Sequence, residues 1–134
     1  MKYLIALLFF STVQIASSSF ADDLDLADKT EVKIVNVEKH VLNGLLNGKE
    51  IKVRLLGLTC ESKASTKVLT KMLVGKKVLL RSDSDFLPIL KDTRDRFVAY
   101  VDFRGADVGQ GLVDKGVCIG SDRSHPKKAE YAVK

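Results

Sequence analysis

Cysteine and histidine are both scarce in this chain, with two of each among 134 residues. Neither histidine lies close in sequence to a cysteine, and two thiols are too few for a structural zinc site by themselves. No cysteine stands directly after the small-residue stretch that ends at Ala21, which argues against a lipid-anchored chain. A long hydrophobic run is missing as well. A membrane-spanning helix needs about 20 apolar residues, and Ser11, Thr12 and Gln14 interrupt the run that begins at Tyr3. Charge of one sign is not in large excess either. The 22 Lys and Arg against 17 Asp and Glu give a formal net charge of +5, which permits a polyanionic partner without demanding one.

What the N-terminus does have is the layout of an export signal. Met1-Lys2 is a short basic start, Tyr3 to Phe10 is apolar, and Ser19 and Ala21 occupy small-x-small positions before a cut. Residues 1–21 therefore read as a cleaved signal peptide. Residues 22–134 then form a secreted or periplasmic protein of one small domain, with no stable membrane anchor. In such a compartment an even cysteine count favours a disulfide between Cys60 and Cys118. Two buried free thiols, or one reactive thiol, stay open at this point.

Asp22 to Thr30 is acidic and lacks an apolar period, so it reads as a flexible lead to a domain over 31–134. From Thr30 the pattern is extended, with alternation through Glu31-Val32-Lys33-Ile34 and β-branched residues at Val35 and Val37. A second strand over His40 to Leu46 ends at Asn47-Gly48, a hairpin signal because both positions tolerate positive φ. The third strand runs from Lys49 to Gly57 and gives way to a polar loop. Ile51, Val53 and Leu55 share its inner face; Lys52 and Arg54 share the outer one.

Ser62 is the expected N-cap of a helix whose core stripe is Ala64, Val68, Leu69, Met72 and Leu73, with Gly75 as its stop. A fourth strand is expected over Lys76 to Ser82 and a fifth over Arg96 to Phe103. Between them lies a polar loop with an apolar patch, Phe86 to Leu90, that could form a contact surface. Asp107 should cap a short helix with Val108, Leu112 and Val113 inward, and Val117 to Ile119 could add a short strand. Ser124 and Pro126 open a last helix running to Lys134. Only one helix falls between strands, so a parallel α/β fold fits poorly. A mainly β, α+β domain is expected: a five-stranded OB-type barrel with about three packed helices.

Three motifs, in order and in register, resemble the staphylococcal-nuclease-like (thermonuclease) family. Arg54-Leu55-Leu56-Gly57-Leu58 is similar to its third-strand signature. Asp92 to Val101, with Arg96 before Ala99-Tyr100, is similar to its loop and fifth strand. Gly105-Ala106-Asp107-Val108, followed by Leu112-Val113 and Gly116, is similar to its second helix. Together they cover most of residues 22–134.

The resemblance implies an OB barrel with three helices and, in active members, calcium-dependent cleavage of DNA or RNA phosphodiesters. That chemistry needs carboxylate oxygens for Ca²⁺, a glutamate beside the attacking water, and two arginines on the phosphate. Both arginines carry over, as Arg54 and Arg96. The carboxylates do not. By alignment from Arg54, the metal aspartates fall on His40 and Thr59 and the water-activating glutamate on Ser62. No cofactor is therefore expected. A rebuilt transition-metal site from Glu38, His40 and Glu61 is the weak alternative.

The expectation is thus a degenerate nuclease-fold module that binds nucleic acid, another polyanion or a protein. Arg123, Lys127 and Lys128 could add backbone contacts. The alternatives are an active secreted metal-dependent endonuclease with a rebuilt site, and a purely structural module in which Arg96 pairs with Asp92 or Asp95 and Arg54 with Glu61. The family arrangement also places the segment after the third strand beside the short strand after the second helix. This would bring Cys60 and Cys118 within bonding reach, as a staple for the loop that carries catalysis in the family.

Overall fold

The computed structural model describes residues 26–84, 87–121 and 125–132. Residues 1–21, expected as a signal peptide, and Arg123 lie outside these residues. The first three strands are β1 (Thr30–Glu38), β2 (Val41–Leu46) and β3 (Lys49–Leu55). They form an antiparallel meander in which Asn47 and Gly48 turn with φ of 53° and 80°. Two further strands, β5 (Lys77–Arg81) and β6 (Phe97–Phe103), continue the sheet from the other side of β1. β6 then pairs in parallel with β3, through Val53 with Phe97, Arg54 with Val98 and Leu55 with Ala99. That pairing closes the barrel of five long strands, and the short β7 (Ala106–Asp107) extends β6. The architecture is an OB-type barrel with helices packed on it.

The core follows from the alternation. Val32, Ile34, Leu42, Val53, Val78, Leu80, Ala99 and Val101 point inward and are all buried. Helix α1 (Ser62–Leu73) lays Ser65, Leu69 and Leu73 against the barrel, which is the 3.6-residue stripe expected of a surface helix. Helix α2 (Val108–Asp114) buries Val108 and Leu112 and starts where expected, with the Asp107 carboxylate accepting from Gly109 N–H.

Several expectations need correcting. The cap of α1 is Glu61 rather than Ser62: its carboxylate accepts from the N–H groups of Lys63 and Ala64, at 2.9 Å each. Ser62 becomes the first residue of the helix. His40 does not begin β2. Lys39 and His40 form the β1–β2 turn with φ of 48° and 56°, a left-handed geometry that alternation cannot reveal. The segment after Gly57 is not a polar loop either. It is a strand, β4 (Leu58–Cys60), antiparallel to β8 (Cys118–Gly120), with Cys60 directly opposite Cys118 and disulfide-bonded to it.

The described part of the acidic lead is tied down rather than flexible. Leu26 exchanges two backbone hydrogen bonds with Ile89, and the Asp28 carboxylate accepts from Ser82 N–H. Of the apolar loop patch, Ile89 is buried by that contact while Leu87 and Leu90 are exposed; Phe86 lies outside the described residues. The last helix is a single turn, α3 (Lys128–Tyr131), within the described residues. No helix among the described residues is long and apolar enough to cross a membrane.

Candidate functional site

The barrel-closing pair of strands decides where the two arginines stand. Arg54 is on β3 opposite Val98 of β6, and Arg96 immediately precedes Phe97, the partner of Val53. Val53, Phe97 and Leu55 are buried, so the period of 2 turns Arg54 to the outer wall beside the start of β6. Both arginines are half-buried, and both act on His40 in the neighbouring turn. Burial first, then the charges of Arg96 and Arg54, pull the His40 imidazole below its ordinary pKa, which keeps it neutral near pH 7. The His40 backbone N–H donates to the Thr66 hydroxyl at 2.7 Å, fixing the turn against α1. Its Nδ1 is buried with no partner among the described residues.

The two arginines differ in how they are held. Arg96 Nε donates to Asp92 Oδ2 at 2.9 Å, and Asp92 Oδ1 accepts from the backbone N–H groups of Arg94 and Arg96. Burial alone would raise the Asp92 pKa, but these N–H donors and the guanidinium outweigh it and hold the carboxyl below its usual range. The pairing uses one edge of the Arg96 fork and leaves its terminal nitrogens without a partner among the described residues. Arg54 has no carboxylate partner among the described residues. Glu61, the proposed mate of Arg54, is committed to the helix cap, and its N–H donors lower its pKa.

The residues at the replaced positions do not make a calcium site. His40 offers a neutral imidazole flanked by two cations, Thr59 is an exposed strand residue paired with Ile119, and Ser62 is an exposed first-turn residue. Glu38, His40 and Glu61 do not converge as a substitute. Glu38 accepts from Asn43 Nδ2 at 3.1 Å, Glu61 caps α1, and no group of three His, Cys, Asp or Glu residues among the described ones could hold a metal ion. The donor set fits neither calcium nor the rebuilt transition-metal site.

The two described C-terminal cations, Lys127 and Lys128, sit in different settings. Lys127 is drawn inward: its Nζ pairs with Asp107 Oδ2 at 3.2 Å and lies 5.1 Å from the centre of the Tyr100 ring. Lys128 is exposed.

Beside them is a buried polar cluster that sequence reasoning did not single out. The Tyr100 hydroxyl meets His125 Nδ1 at 2.8 Å and accepts from Lys127 N–H at 3.1 Å. The Tyr131 hydroxyl donates to Asp107, with oxygens at 2.8 and 3.1 Å. Burial, then the Asp107 carboxylate, push the Tyr131 hydroxyl far above its ordinary pKa. Tyr131 is therefore a core lock, 1% exposed. The His125 ring sits over Gly57, so the C-terminal segment seals the turn where β3 leaves the barrel.

Compared with models of protein families and with curated proteins, the chain matches none.

Proposed function

We propose that this protein is an exported, catalytically degenerate nuclease-fold module that grips phosphates of a nucleic-acid backbone through Arg54 and Arg96. The observation that carries the reading is the pairing pattern of the two guanidinium groups. Arg96 is anchored by one edge on Asp92, and Arg54 has no carboxylate partner among the described residues. One oriented fork beside one unneutralised fork suits an oxyanion held by charge-assisted hydrogen bonds. The neutral His40, which feels both guanidinium charges, adds no competing charge. Export is supported by the apolar run Tyr3 to Phe10 with its small-residue cut, and by a disulfide compatible with an oxidising compartment. Loss of calcium chemistry is supported by the donor set at His40, Thr59 and Ser62, and the motif resemblance supplies the nuclease-fold kinship.

The test is titration of the protein into a fluorescent single-stranded DNA oligonucleotide across a salt series. Affinity should fall as salt rises, as expected for counterion release. Arg54→Ala should weaken it by roughly 10- to 100-fold, the range for losing a hydrogen bond to a charged group. Binding that ignores both salt and Arg54 would reject the reading. Turnover of DNA or RNA with Ca²⁺ or Mn²⁺ that disappears in Arg54→Ala would reject the degenerate part of it.

A further inference from the structure

A second surface lies away from the arginines. Between the last two turns of α1 and the end of α2 runs a groove of about 400 Å³. Val68 and Met72 line its floor, and Lys67, Lys71 and Lys115 form its rim. The floor residues are half-buried and lie off the Ser65, Leu69 and Leu73 face that α1 turns to the barrel, so the core does not use all of their surface.

The charge pattern here is uncompensated. Lys63, Lys67 and Lys71 stand at successive i,i+4 positions, where like charges destabilise a helix. Helix α1 contains no acidic residue of its own, and none of Lys67, Lys71 and Lys115 has an ion-pair partner among the described residues. The row is therefore a concentrated positive surface whose mutual repulsion an external anion would relieve.

We propose that this groove docks an acidic amphipathic segment of a partner protein. Apolar side chains of the segment would cover Val68 and Met72, and its carboxylates would meet the three ammonium groups. Methionine suits such a role because its unbranched, polarisable side chain adapts to different apolar partners. A helix laid in a groove with anchors at i, i+3, i+4 and i+7 has this chemistry.

The other anionic occupants fit less well. A membrane surface calls for a larger basic cluster and for aromatic or leucine side chains that insert, and the groove offers three lysines and no aromatic residue. Single-stranded nucleic acid wants aromatic faces on which bases stack, and the groove has none.

The probe is a fluorescein-labelled synthetic peptide of about 15 residues, with Leu at i, i+3, i+4 and i+7 and Glu elsewhere, read by anisotropy at low salt. A peptide of the same composition, scrambled to destroy the period, is the comparison. The periodic peptide should bind at least about tenfold more tightly than the scrambled one. Lys67→Glu with Lys71→Glu should erase the difference, and Lys115→Ala should reduce it, since several ion pairs around an apolar contact together reach that scale. Arg54→Ala should leave peptide binding unchanged, which separates this surface from the phosphate grip. Circular dichroism confirms that the charge-reversed variant folds; should it not, Lys115→Ala and Met72→Ser carry the test. Equal binding of both peptides, or binding indifferent to these lysines, overturns the proposal. So does a preference of the lysine face for phosphatidylglycerol vesicles or the DNA oligonucleotide over the periodic peptide.

Discussion

Replacing both Cys60 and Cys118 by alanine should cost this domain a large share of its stability. The bond links residues 58 apart in sequence, so in the unfolded chain it closes a long loop. On the chain-entropy model a loop of that size is worth about 4 kcal/mol, against a total of roughly 5–15 kcal/mol for a typical domain. The effect should be concentrated locally as well. β4 and β8 make only three paired positions, Leu58 with Gly120, Thr59 with Ile119 and Cys60 with Cys118, and a two-stranded ribbon of that length has little stability alone. Alanine avoids leaving a polar group at Cys118, which is 3% exposed.

Urea unfolding followed by circular dichroism measures the change. The variant should lose about 4 kcal/mol and melt on the order of 15–25 °C lower. Reduced wild type should match it. A loss below about 1 kcal/mol would refute the loop-closure reasoning. Two titratable thiols in unfolded, unreduced protein would remove the bond itself.

Three further outcomes follow from the C-terminal seal. Gly57→Ala should destabilise by at least about 1–2 kcal/mol, because Gly57 has φ of 82° and a Cβ there would stand 2.4 Å from the His125 ring; thermal melting reads this. Tyr131→Phe should cost about 1.5–3 kcal/mol by removing a buried hydroxyl bonded to the Asp107 carboxylate, and an unchanged urea midpoint would contradict it. Stability should also fall between about pH 7 and pH 5. Burial and then Lys128 lower the His125 pKa, and burial and the two arginines lower that of His40. The unfolded chain therefore takes up protons first, below about pH 6.5, and the contribution present above that value is lost on acidification. A urea midpoint that rises from pH 7 to pH 5, or a slope untouched when His40→Gln and His125→Gln are combined, would show that these histidines are not responsible.

The barrel was legible because its signals are local. Alternation in Glu31 to Ile34, the Asn47-Gly48 turn and the Asp107 cap each act within a few residues, and each is where the pattern put it. The Asp92–Arg96 pair was legible as an alternative for the same reason, being four residues apart. What escaped was settled at a distance, except at the α1 cap. Glu61 displaced Ser62 as the cap because two backbone N–H groups of the first turn fall within reach of its carboxylate, whereas composition favours serine. β4 formed because β8 arrived beside it, 58 residues later, and no three-residue window announces that. The Tyr100–His125 contact spans 25 residues, and His125 between Ser124 and Pro126 carries no motif.

The parallel pairing of β3 with β6 has a kinetic consequence. β1, β2 and β3 are hairpin neighbours and can assemble from contacts a few residues apart. The closing pair instead joins Val53 to Phe97, and α1 and β5 must be placed before that gap can shut. Long-range parallel pairing is slow because loop entropy is lost before contacts form. Refolding should therefore wait on barrel closure, with the open edge of β3 and its Arg54 the last part of the wall to acquire a neighbour.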